Sequence, residues 1–166
     1  MKEAERLLGD LLGPELTEIV QAVTQDPNSE GSYFIQIPTA DHVDFTIEDL
    51  GSLVSKTSNT YARVARLAGM ARAELKLADG RYKRKYKMNR VGSNESAREK
   101  NATEASIDEW TALNTIEAVV ELAEALEAHC RMASESARKL YDKVRTMEIA
   151  SKREEHGHLK DSEYRY

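Results

Sequence analysis

All three prolines, Pro14, Pro27 and Pro38, fall within the first 38 residues of a 166-residue chain. Glycine is likewise absent between Gly92 and Gly157. Proline removes a helix donor and clashes with the turn before it, and glycine in a helix loses extra backbone entropy. A chain cleared of both over such lengths is built for long helices, with irregular structure confined to its N-terminal part. Eight glycines and three prolines are also too few for a sandwich or barrel assembled from tight turns.

Apolar spacing fills in that outline. Thr46-Ile47-Glu48-Asp49 reads as a helix start, with Thr46 as N-cap and acids in the first turn. From Leu50 through Val54, Thr57, Tyr61, Val64, Ala68, Ala71, Leu75 and Ala78 to Tyr82, seam residues recur at alternating steps of four and three, and Gly80 weakens the end of the run. Asn89 to Ser93, containing Gly92, reads as a turn. A second helix begins near Asn94, with Ser93 as its cap, or restarts at Ser106-Ile107-Asp108-Glu109, which fits a capping box. Its seam runs Ile116, Val119, Ala123, Leu126, Cys130, Ala133, Ala137, Leu140, Val144 and Met147.

Two matched seams joined by one turn predict a mostly α protein: a long antiparallel, coiled-coil-like hairpin of helices ~50–60 Å long. A short N-terminal helix with Leu7, Leu8, Leu11 and Leu12 on one face precedes it, continued after Gly13-Pro14 by Leu16, Ile19, Val20 and Val23. Ser32 to Ile37 is the one β-like stretch, a short strand or extended arm. The expected divisions are an N-terminal helix plus arm at 1–45, the hairpin at 46–150 and a polar tail at 151–166. Leu53, Leu67, Leu113, Val120, Leu122 and Tyr141 lie off the strict seams and need cover, from the N-terminal helix or, more economically, from further copies of the chain. A homo-oligomer is therefore expected.

The net charge of −5 hides a strong segregation, with residues 61–100 carrying 12 basic groups against 4 acidic ones. The densest part is Gly80-Arg81-Tyr82-Lys83-Arg84-Lys85-Tyr86-Lys87-Met88-Asn89-Arg90. Cations neutralise phosphates and release counterions, and tyrosine rings offer faces to unpaired bases. Arg81, Tyr82, Lys83, Arg84, Lys85, Tyr86, Lys87 and Arg90 are thus the candidate contacts to single-stranded DNA. Arg63, Arg66, Arg72 and Lys76 extend the positive track upstream, and Arg98 and Lys100 return it across the turn. A solvated helix end favoured by the dipole, or a site for an acidic protein, are the competing readings.

Other chemistry is sparse. The single cysteine, Cys130, allows no internal disulfide or cysteine-based zinc site, and on its seam it reads as a small core residue. His156 and His158 lack a third metal ligand, and His42 and His129 are isolated. Asp41, Asp44, Glu48 and Asp49 fit helix N-terminus electrostatics. No phosphate-binding glycine loop, nucleophile elbow or metal motif occurs, so neither catalysis nor a cofactor is expected. No apolar run approaches the ~20 residues of a membrane span, and Met1-Lys2-Glu3-Ala4-Glu5-Arg6 is acidic and amphipathic, unlike a signal peptide.

Residues Tyr61 to Ile149 resemble the helical recombination mediators of T4-type bacteriophages, the UvsY family. The likeness lies in layout: a long helix bearing Tyr82-Lys83-Arg84-Lys85-Tyr86-Lys87, a short turn, Glu95-Ser96-Ala97-Arg98, and a closing helix from Ala125-Leu126-Glu127-Ala128 through Met132-Ala133 to Val144. The resemblance implies that Lys83, Lys85 and Tyr86 correspond to the family's DNA-binding motif. It also implies that the closing helix, here Leu126, Cys130, Ala133, Ala137, Leu140 and Val144, serves oligomerisation. A ring-like homo-oligomer that loads a recombinase onto single-stranded DNA, alongside a single-strand-binding protein, in the cytoplasm of the infected host, would follow. The basic motif here is denser, and residues 1–60 have no counterpart in the family. A helical virion, assembly or host-inhibiting interaction protein is the alternative class.

Overall fold

A computed structural model describes residues 17–22, 33–35, 37 and 45–163, with side chains described as far as residue 153. Residues 17–22 are helical. Helix α1 spans Ile47–Met88, α2 spans Glu95–Ala105 and α3 spans Ile107–Glu163. No strand occurs among the described residues; residues 33–35 have no regular secondary structure, and Ser32 and Gln36 of the expected arm lie outside the described residues.

Thr46 begins α1 with the expected cap. Its Oγ1 accepts from Asp49 N at 3.1 Å, and Asp49 Oδ2 accepts from Thr46 Oγ1 at 2.7 Å and from Thr46 N at 3.1 Å, which hold the Asp49 carboxyl below its ordinary range. The 42 residues of α1 pass through Gly80 without a break, and a Cβ at that position would meet nothing within 4 Å. At ~1.5 Å per residue α1 is ~63 Å long and α3 ~85 Å, both longer than expected. The surplus in α3 is the stretch 151–163, expected as a polar tail but continuing as helix. Low apolar content removes a reason to pack but not the backbone ladder, and Lys152 Nζ supports it locally, 2.6 Å from Glu148 Oε1.

The break between α2 and α3 sits at Ser106. Its N–H bonds Ala102 O at 3.1 Å and Thr103 O at 3.2 Å, and its Oγ donates to Ala102 O at 2.7 Å, so the hydroxyl closes α2 instead of forming the expected capping box. Asn94, not Ser93, caps α2, its Oδ1 accepting from Ala97 N at 2.9 Å. Gly92 is needed for the turn: a Cβ there would lie 3.0 Å from Ala97 Cβ and 3.1 Å from Arg98 N.

Cross-helix bonds fix the antiparallel register. Lys85 meets Glu109, Arg72 meets Glu124 and Glu127, and Ser58 Oγ lies 3.2 Å from Ser134 Oγ. Small seam residues make the close packing possible; Ala68, Ala71 and Ala137 are fully buried. Leu67, Ala68, Ala71, Ala78, Ile116, Val119, Val120 and Ala123 form one cluster with Ile19 of the N-terminal helical turns. Val64, Leu126 and Cys130 form a second with Ala22 and Tyr33.

The N-terminal residues therefore cover one flank of the hairpin within a single chain. Glu18, Tyr33 and Arg63 clasp them in place. Tyr33 OH donates to Glu18 Oε1 at 2.7 Å, Arg63 pairs with the same carboxylate, and its guanidinium lies 5.3 Å from the Tyr33 ring centre. Cys130 Sγ donates to Tyr33 O at 3.6 Å, and the Phe34 and His129 rings lie 5.0 Å apart. Of the expected oligomer seam, Leu126, Cys130, Ala133 and Ala137 are buried within one copy. Leu140 and Val144 remain half-buried, lining an open groove with Phe45, Ile47 and Met147.

Candidate nucleic-acid interface

The basic segment forms the last turns of α1, at the closed tip of the hairpin, and helix geometry sorts its side chains at ~100° per residue. Lys85 falls on the buried side, one heptad after Ala78, and is half-buried. Its Nζ lies 2.7 Å from Glu109 Oε1 on α3, an interaction that holds the Glu109 carboxyl below its ordinary range. Lys85 is therefore a cross-helix tie in this structure.

Three further cations have acidic neighbours that the basic segment itself lacks. Lys83 Nζ is 2.7 Å from Asp79 Oδ2, Arg81 is 3.8 Å from Glu74, and Arg90 pairs with Glu95 beyond the turn. All three cations are exposed, and surface pairs of this kind are worth about 0–1 kcal/mol, so a phosphate exchanges with the carboxylate at small cost. Arg84 and Lys87 are exposed and have no acid within ion-pair distance among the described residues. These two are the ready phosphate contacts.

Tyr82 and Tyr86 stand one turn apart on a flank, ring centres 6.0 Å apart and inclined by 43°. Both are half-buried, neither core residues nor free rings. Each therefore keeps part of its surface open. The turn beneath them is tied down: Asn89 Nδ2 donates to Lys85 O and Asn101 Nδ2 to Val91 O, each at 2.8 Å, and Arg98 Nε donates to Gly92 O at 3.1 Å.

Of the upstream track, Arg66 and Lys76 are exposed, while Arg63 and Arg72 are engaged. Arg63 is bound to Glu18 on the flank covered by the N-terminal residues, whereas Arg72 lies on the opposite flank, within 3.3 Å of Glu124 and Glu127, which raise its pKa. On the return path Arg98 lies 3.9 Å from Glu95 and Lys100 3.8 Å from Glu104. Positive character is thus concentrated at the tip.

Sequence reasoning missed Trp110, the one tryptophan, which is 52% exposed on the first turn of α3 beside Ile107 at 56%. A large ring standing off the Ile116 seam was the available signal. Met88 and Val91 are also exposed there. The described side chains contain no group of three or more potential metal ligands; His42 and the side chains of His156 and His158 lie outside the described residues, as do Asp41 and Asp44. No helix among the described residues is long and apolar enough to cross a membrane. No protein-family model, curated protein or solved structure matches the chain.

Proposed function

We propose that the protein is a non-enzymatic single-stranded-DNA-binding factor of phage recombination, working as a homo-oligomer that helps a recombinase onto the strand. The observation that carries the binding part is the juxtaposition of two exposed, unpaired cations, Arg84 and Lys87, with two half-open rings, Tyr82 and Tyr86, on a braced helix end. Cations supply sequence-independent affinity, and rings that rest on the scaffold lose little entropy when a base stacks on them. The recombinase-loading part rests on the resemblance of residues 61–149 to the phage mediators.

Self-association in this reading uses the open end of the hairpin, where Leu140 and Val144 still line a groove with Phe45 and Met147. A second copy suits that groove because its polar lining, Lys143 with Glu48 and Glu148, has both signs and can complement itself about a twofold axis.

Fluorescence anisotropy with labelled oligothymidine and with duplex of equal length tests the binding. The expected result is tighter binding to the single strand. Filament assembly by a phage recombinase on strands coated with single-strand-binding protein tests the loading, with faster assembly expected when the protein is added.

A further inference from the structure

We propose that Trp110 is a third base-stacking residue and that, with Tyr82 and Tyr86, it forms a short aromatic platform for unpaired bases on one side of the hairpin tip. The inference rests on the single-strand reading above and adds a residue from the second long helix.

Two rows of side chains place the three rings on the same side. Leu75 and Arg72 of α1 line a shallow groove with Glu117, Glu121 and Glu124 of α3. Tyr82 lies seven residues after Leu75, and Tyr86 eleven after it, so both continue the Leu75 row toward the tip. Trp110 lies seven residues before Glu117 and eleven before Glu121, so it continues the facing row. The Lys85–Glu109 pair, 2.7 Å long, sets the register, and antiparallel counting from it puts Trp110 level with the interval between Tyr82 and Tyr86. The groove therefore ends at the tip in rings from both helices.

Charge limits the length of this platform. Beyond the rings Glu117, Glu121 and Glu124 outnumber Arg72 and Lys76 along the groove, and Arg72 is held by Glu124, so the groove offers a phosphate backbone little attraction. Arg84, Lys87 and Arg90 surround the tip instead. A strand is thus confined to a few nucleotides at the tip, where a 52% exposed indole has most to gain by covering its face with a base.

Because Trp110 is the one tryptophan, its emission reports directly on the site. Adding oligothymidine should quench it along the same curve as the anisotropy of a labelled strand. Trp110→Ala should weaken single-strand binding at least about fivefold, the low end of a stacking loss. Trp110→Phe should restore most of the affinity, and duplex binding and melting temperature should change little in either variant. Unchanged emission and unchanged Trp110→Ala affinity, with the strand still bound by anisotropy, would overturn the platform and leave single-strand binding standing. No binding of the strand at all would overturn both. A blue shift on anionic phosphatidylglycerol vesicles, with none of these responses to oligothymidine, would assign the exposed ring to a lipid surface and refute the proposal.

Discussion

Lys85 Nζ sits 2.7 Å from Glu109 Oε1 and ties the two long helices together at their closed end, while Arg84 on its N-terminal side is exposed without an acidic partner among the described residues. Adjacent cations of one basic segment therefore have different tasks. Lys85→Met should lower the melting temperature and leave the salt dependence of DNA binding nearly intact. Arg84→Ala should do the reverse. Thermal melts and salt titrations of the two variants check the division.

Three of the four hairpin glycines with described surroundings should respond in opposite directions. A Cβ at Gly69 or Gly80 meets nothing within 4 Å, and both lie within α1. Gly69→Ala and Gly80→Ala should each stabilise by ~0.5–1 kcal/mol. Gly92→Ala should destabilise by about 1 kcal/mol, since its methyl would press on Ala97 and Arg98 at 3.0–3.1 Å. Urea denaturation measures all three.

The clasp between the N-terminal residues and the hairpin makes stability fall at high pH. Burial, reinforced by the hydrogen bond to Glu18, pushes the Tyr33 phenol up to about 12, and burial pushes the Cys130 thiol up to about 11. In the unfolded chain these groups ionise near their ordinary values of 10.0 and 9.0. The unfolded state then binds fewer protons than the folded one, so stability is complete below pH 9.0 and declines as the pH rises toward about 12. Glu18 acts at the other end. The hydrogen bond from Tyr33 and the nearby Arg63 hold its carboxyl below 4.5, so its contribution is present above that pH and is lost in stronger acid. Denaturation midpoints across the alkaline range should drop for the wild type, and the drop should be smaller in Cys130→Ala.

The seam was legible because burial follows the spacing of four and three. Leu50, Val64, Ala68, Ala71, Ala78, Ile116, Val119, Ala123, Leu126 and Cys130 all read as core from that spacing and all are buried. What covers the seam was legible only as alternatives, the N-terminal helix or further copies. Ile19, Ala22 and Tyr33 reach it from segments whose own pattern fits a separate helix and arm. The basic segment was legible as charge but not as charge balance, because Glu109 is distant in sequence and reaches Lys85 only through the hairpin register. The polar stretch after Ser151 carries no packing signal, yet it has no breaker before Gly157 and stays helical.

Ala137 provides a test of how the seam is used. It is fully buried between helices of one chain. Ala137→Glu should therefore unfold the hairpin, by several kcal/mol for a carboxylate without a partner, instead of separating copies that stay folded. Val144→Asp, at the groove, should lower the mass seen by light scattering while most of the helical signal remains. A wild-type mass of 18.7 kDa at all concentrations would contradict self-association.

The central claim, that the tip binds single strands through cations and rings acting separately, is tested most directly by the salt dependence of oligothymidine binding. Wild type, the Arg84→Ala/Lys87→Ala double variant and Tyr86→Ala are compared over a range of salt. Loss of two phosphate contacts should flatten the log–log slope by about 1.4, at ~0.7 per contact. Tyr86→Ala should lose affinity with its slope nearly unchanged. Equal slopes for wild type and the double variant, or equal losses by Tyr86→Ala on single strands and duplex with a lowered melting temperature, would contradict the claim.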